Sequence, residues 1–357
     1  MLFSAVKKNL LLATALLLFV TTLSCGDDDG TPTVVEPTIY IAGTELLADE
    51  STQIVYYEGT QMSVIAGAPG ERLFSTGITS DGTDVYVSGN IFNSSISGGA
   101  YWVNGMLNRL EVGTGFQSRC RGHEFWDGDI YAYGDIQLQG GGNQAVYWKN
   151  GEIVVLENSF RSSRANGIAL VNGKIIVAGV GFAAGVGSVP LIWVDGEVQQ
   201  LSPGNTRGVI PIEIEEHQGD HYIIGLASTR ANFSPVICTW KNGVLTEDPE
   251  DLNIQNIPDM EVSGYDPSVY YLVTAVTATG RRMMYRKDDT DVILVDDTTE
   301  AIFLTDIEVK DDKVYVLGNI QTSTSPIVIQ PILWIDGVEQ TDFPWPDFLQ
   351  GFDMYVR

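Results

Sequence analysis

Six arginines stand where loops lead into apolar strands: Arg72, Arg119, Arg121, Arg161, Arg164 and Arg207. A guanidinium is a rigid planar fork that grips carboxylate, sulfate or phosphate in two places, whereas a lysine offers a hydrated point charge. Phe116, Phe160, Trp345 and Phe348 occupy the same kinds of segment. Flat aromatic faces beside hydrogen-bonding groups suit sugar rings. The combination points to an anionic ligand, with a uronate-containing or sulfated glycan as the chemical class, or else to a protein partner. The lysines are sorted differently: Lys149, Lys174, Lys241, Lys287, Lys310 and Lys313 sit at or beside tight turns. The competing account of the arginines is pairing with nearby acids such as Glu71, Glu157 or Asp306.

Histidine is scarce, with three in the chain. His123 beside Arg119 or Arg164 is the one combination that would offer a base and a charge neutraliser to a polysaccharide lyase or hydrolase, and it is the only catalytic candidate. His217 and His221 have the spacing of a helical zinc pair, but "EEHQGDHY" reads as a hairpin, which does not place them as a helix would. Nucleophile elbows, phosphate-cradling glycine loops, EF-hand loops and paired-cysteine metal motifs are absent from the sequence, so no metal or cofactor is expected.

The elements that must position these groups come from a repeat. "AVYWKNGEIVVL" (145–156) is a β-hairpin in which Asn-Gly supplies the positive φ of a tight turn. It returns as "AYWVNGMLNRL", "PLIWVDGEVQQL", "VICTWKNGVL" and "PILWIDGVEQ", with worn copies "QIVYYEGTQMSVI" and "MMYRKDDTDVIL". The turn residue falls at Gly59, Gly105, Gly151, Gly196, Gly243, Asp289 and Gly337, with spacings of 46, 46, 45, 47, 46 and 48. A second anchor shares the period: apolar strands ending in glycine, such as "VYVSG" (85–89) and "IIVAG" (175–179). Each unit is four strands, a to d, with tight a–b and c–d turns and b–c and d–a crossovers of about ten residues.

Seven four-stranded units at this period predict an all-β, seven-bladed β-propeller over residues 38–357. The first unit lacks strand a, and "GFDMYVR" (351–357) is a lone strand of that type, so pairing of the two closes the ring and removes exposed edges. Trp102, Trp148, Trp193, Trp240 and Trp334 share one position of strand c and are expected to fill the wedge between blades. The d–a and b–c crossovers emerge on one face, which therefore collects nine of the twelve arginines; the a–b and c–d turns emerge on the other.

At the N-terminus, Lys7 and Lys8 precede an apolar run, Leu10 to Val20, too short to span a bilayer. Residues 1–24 read as a secretion signal. Thr22-Leu23-Ser24-Cys25 resembles a bacterial lipoprotein box, which implies lipidation of Cys25. The acidic run Gly26-Asp27-Asp28-Asp29 is similar to the surface-export signal of Bacteroidota lipoproteins, and 25–37 form a flexible tether. The formal charge of −26 becomes −28 once Lys7 and Lys8 leave with the signal, which argues against nucleic acid as a partner. Cys120 and Cys238 are expected as free buried thiols.

Trp-x-(Asn/Asp)-Gly hairpins alternating with "VYVAG"-like strands resemble the propeller repeats of uncharacterised bacterial surface lipoproteins. That resemblance implies an outer-membrane, lipid-anchored protein, on the periplasmic or the cell-surface side, and brings no activity; the expectation of a monomer that binds a glycan, a small anionic ligand or an outer-membrane protein rests on the loop arginines and aromatics. The resemblance implies no catalytic residue.

Overall fold

The computed structural model describes residues 36–357 apart from 95–96, 114–116, 186, 205, 230–234, 249–253, 265–266, 325–326, 342, 344 and 346–348. They form seven antiparallel sheets, the blades of a β-propeller, with no helix among the described residues. Blade 3 shows the plan: strand a is Gln117–Trp126, b Asp129–Gln137, c Asn143–Lys149 and d Glu152–Val155, hydrogen-bonded in that order. The crossovers are shorter than the expected ten residues, 138–142 between b and c for example, because the strands run further into them. Blade 6 departs from the plan: its strand a is split into Ile254–Asn256 and Met260–Ser263, both paired with Ser268–Val276.

The repeated hairpin explains itself at its turn. Asn104, Asn150, Asp195, Asn242, Asp288 and Asp336 all hold φ near +50°, a conformation that Asn and Asp tolerate best among residues with a side chain. Each also accepts, through its side-chain oxygen, the N–H that opens strand b of its own blade: Val85, Ile130, Ile175, His221, Val269 and Val314. One side chain thus sets the c–d turn and satisfies a backbone donor on the neighbouring strand.

The tryptophans of strand c are fully buried in four blades: Trp148, Trp193, Trp240 and Trp334. The indole N–H groups of Trp148, Trp193 and Trp240 donate to the carbonyls of Glu111, Glu157 and Ser202, on the chain leading out of the preceding blade. In blade 1, Tyr57 takes the place of the indole, and Phe343 and Trp345 pack edge-on against it. The glycine that ends the "VYVSG" run lies under this ring. A Cβ at Gly89, Gly179, Gly225 or Gly318 would meet the tryptophan of its own blade and a strand-a carbonyl at once. Burying each ring stabilises the fold by a few kcal/mol.

Closure follows the expected route. Leu349–Val356 pairs with Ile39–Leu46, aligning Met354 with Ile41 and Tyr355 with Tyr40. Strand a of every blade touches strand a of the next, all the way round, so these seven strands line the axis. Buried asparagines lock neighbouring blades: Asn90 bonds both backbone groups of Cys120, and Asn319 those of Gly351. Cys120 and Cys238 are free and buried, and burial pushes the Cys120 thiol up to about 11.

Candidate functional site

Strand a starts at the arginine-bearing rim and runs inward along the axis. In most blades a β-bulge sits part-way down it, between Ser75 and Gly77 in blade 2 and between Cys120 and Gly122 in blade 3. Residues before the bulge belong to the rim, and residues after it to the channel.

At the rim, Arg72, Arg119 and Arg121 line an open hollow of about 750 Å3 with Phe74, Phe92, Asn90, Ser75 and Thr76. The Arg72 guanidinium lies 5.8 Å from the centre of the Phe74 ring, and Phe74 meets Phe92 edge-on at 5.5 Å. Arg121 is held by Asp135, with its Nη2 3.0 Å from Oδ1, so the account by local pairing is right for this residue. Arg72 and Arg119 pair with no carboxylate among the described residues. Arg164 lies 5.4 Å from the Phe182 ring, and its buried Nε has no partner. Burial, followed by the repulsion of Arg121 and Arg119, draws its pKa down. These arginines lie inside strand a rather than before it.

The other predicted contacts are dispersed. Arg207 lines a separate hollow with Ser188, Pro203 and Gly208, and Arg161 is exposed. The Phe160 ring covers Gly181. Trp345 is spent on packing, stacked 4.3 Å from Phe343. Phe116 and Phe348 lie outside the described residues. The acids named as arginine partners divide: Glu71 pairs with Arg109 instead, and Asp306 is on the axis. Phe74, Phe92 and Phe182, absent from the sequence-derived set, had a usable signal: Phe92 and Phe182 each follow the strand-b glycine by three residues.

Below the rim lies a chamber of about 250 Å3, with Thr76 common to its lining and that of the hollow. After the bulge, strand a presents two positions to it. Glu213, Asp259, Asp306 and Asp353 make one tier, and Glu124, Glu215, Glu261 and Glu308 the next. Gly77 and Gly122 occupy the first position in blades 2 and 3. Burial and mutual repulsion push Glu124, Glu261 and Asp306 up to about 8, and hold Glu213, Glu215, Asp259, Glu308 and Asp353 well above the carboxylate range. This ring escaped the sequence reading although its mark is visible: "EIE" (213–215), "DME" (259–261) and "DIE" (306–308) recur with the blade period, acids two apart sharing one face of a strand.

His123 reaches the axis but joins no arginine. Its Nδ1 lies 2.9 Å from Ser88 Oγ, its Nε2 is buried without a partner, and burial draws its pKa to about 4, leaving a neutral imidazole. His217 and His221 lie on a hairpin as expected; His217 bonds the carbonyl of Gly264. Among the described residues no group of His, Cys, Asp and Glu is arranged to grip a metal ion directly.

No protein-family model matches the chain, and neither does any curated protein. Solved structures do. A polysaccharide lyase of family PL25, an ulvan lyase, superimposes with a TM-score of 0.55 at 12% identity, over 84% of this chain and 90% of that one. A PL25 ulvan lyase bound to -[GlcA(1-4)Rha3S]- gives 0.54 at 11% identity, with the same coverage. The β-propeller domain of the Trilobed protease from Pyrococcus furiosus, described as having an open velcro topology, gives 0.53 at 12%, over 87% of this chain and 93% of that one. The likeness is one of fold. The present ring differs from that description in being closed by its C-terminal strand.

Proposed function

We propose that the protein is a lipid-anchored outer-membrane propeller that binds an anionic saccharide, uronate- or sulfate-bearing, in the rim hollow of blades 2 and 3. The observation that carries this reading is the pairing of types in one open hollow: Arg72 and Arg119 without carboxylate partners among the described residues, beside the faces of Phe74 and Phe92. The guanidiniums supply two-pronged recognition of carboxylate or sulfate, and the rings supply stacking for the sugar. In a chain of formal charge −26, such a local positive hollow also steers an anion to one place. The anchor is Cys25, and the cell surface is the proposed location.

Calorimetry tests this with glucuronate-containing and sulfated oligosaccharides against a neutral oligosaccharide of equal length. Binding of the anionic sugars, weakened at least tenfold in R72A/R119A and reduced by salt, is the expected result. Equal heats for neutral and anionic sugars, or none for either, would overturn it. A lyase on the same scaffold is the second reading, favoured by the ulvan lyase's fold and by His123 and Tyr133 beneath the hollow. Growth of ultraviolet absorbance from unsaturated uronate ends during incubation would establish that activity in place of simple binding.

A further inference from the structure

The axial chamber holds eight carboxylates, and no lysine or arginine lines it. The first tier is tied to the frame. Asp259 accepts the N–H of Ile307, Asp306 that of Met354 and Asp353 that of Ile78, each from the next blade, while Glu213 accepts that of Ile214. The second tier is freer: Glu124, Glu215 and Glu308 accept no hydrogen bond from the described protein, and their oxygens face the chamber. The two tiers are two residues apart along their strands, roughly 6.6 Å.

Acids alone would settle the matter by holding protons. Blade 3 adds a separate observation. Tyr133, only 7% exposed, stands over Gly122, where a Cβ would collide with its hydroxyl. That hydroxyl lines the chamber and bonds no protein group among the described residues. The glycine that admits it, the unpartnered donor and the carboxylates make a polar lining dominated by hard oxygen groups, with the buried, unpartnered Nε2 of His123 its one side-chain nitrogen.

We propose that the axial chamber binds one hydrated divalent cation of the Mg2+, Ca2+ or Mn2+ class, whose water shell bridges the two carboxylate tiers and the Tyr133 hydroxyl. A lining in which eight carboxylates and the Tyr133 hydroxyl outnumber the one imidazole favours these hard ions over soft ones. The ion keeps its water because no three side chains converge on it as direct ligands. The volume of about 250 Å3 accommodates an ion with a shell of about six waters at roughly 30 Å3 each. Binding here joins strand a of blades 3, 5, 6, 7 and 1 across the axis, a role separate from saccharide recognition at the rim.

The test uses the whole mature chain, freed of metal by a chelator and dialysed. MgCl2, CaCl2 and MnCl2 are compared with NaCl at equal ionic strength, by thermal unfolding and calorimetry. The expected result is a rise in Tm of several degrees for at least one divalent salt over NaCl, with one site per chain. E215Q/E308Q, which alters carboxylates with no backbone ties, should fold and lose that rise. Y133F should weaken affinity several-fold. Divalent salts acting no better than NaCl on the wild-type chain would overturn the proposal, as would an undiminished rise in E215Q/E308Q. Equal stabilisation by a diamine such as putrescine would also overturn it, in favour of an organic cation.

Discussion

At the scale of the residue, the tightest constraints fall on small and large side chains that meet. Gly179 lies between the Trp193 ring and the carbonyl of Arg164, and the same geometry recurs at Gly89 beneath Trp102. A methyl group there must displace backbone rather than a flexible side-chain end. Gly179→Ala is therefore expected to destabilise the protein by about 1–3 kcal/mol or more, the usual cost of overpacking. Urea unfolding measures it; an unchanged midpoint would show that the blade can shift at little cost. The tryptophans and these glycines were legible in the sequence because their spacing is the repeat itself. The role of Trp345 was not: the sequence places it in a crossover, and only its packing on Tyr57 and Phe343 shows it to be part of the wedge.

At the scale of the element, the c–d hairpin depends on a residue that accepts positive φ and also caps strand b. Asn150 does both, at φ +53° and with Oδ1 3.0 Å from the N–H of Ile130. Two substitutions separate the contributions. Asn150→Gly keeps the backbone freedom and loses the cap, about 1 kcal/mol. Asn150→Ala loses the cap and also incurs the left-handed penalty, a further 1–2 kcal/mol. The expected order of stability is wild type, then Gly, then Ala, read from unfolding midpoints. A glycine variant less stable than the alanine variant would refute this account of the turn. The hairpins were readable for a local reason: turn chemistry is written in adjacent residues. The facing of strand a was not, because its bulge inserts one residue and exchanges the sides of everything beyond it. That exchange keeps Arg119 at the rim and sends Glu124 to the axis.

At the scale of the whole molecule, the ring gathers like charges that the linear chain keeps apart. Glu124, Glu213, Glu215, Asp259, Glu261, Asp306, Glu308 and Asp353 all have their pKa raised, by burial first. The unfolded chain titrates them near 4. The folded state therefore holds more protons between about pH 4 and 8, and its stability must fall as pH rises through that range. With a chelator present, unfolding free energy is expected to be highest near pH 4–5. It should then decline toward pH 8 by on the order of 1.4 kcal/mol per pH unit for each extra proton held. A flat or rising profile over this window would show that the carboxylates are solvated like surface groups.

The amino-acid sequence by itself determined the number of blades, the four-strand plan, the positions of the wedge tryptophans and the closure by residues near 351–357, since turn chemistry and a constant period are local properties of a chain. It also sorted arginines from lysines between two faces, because loop length alone distinguishes the crossovers from the tight turns. Tertiary structure alone decided which of those arginines share a hollow and which acids share an axis. Bulges reset the alternation of strand a, and closure sets blade 1 beside blade 7, bringing Asp353 against Asp306 and the start of the folded chain against its end. Convergence on an axis depends on angles accumulated round the whole ring, and no spacing within one repeat records them.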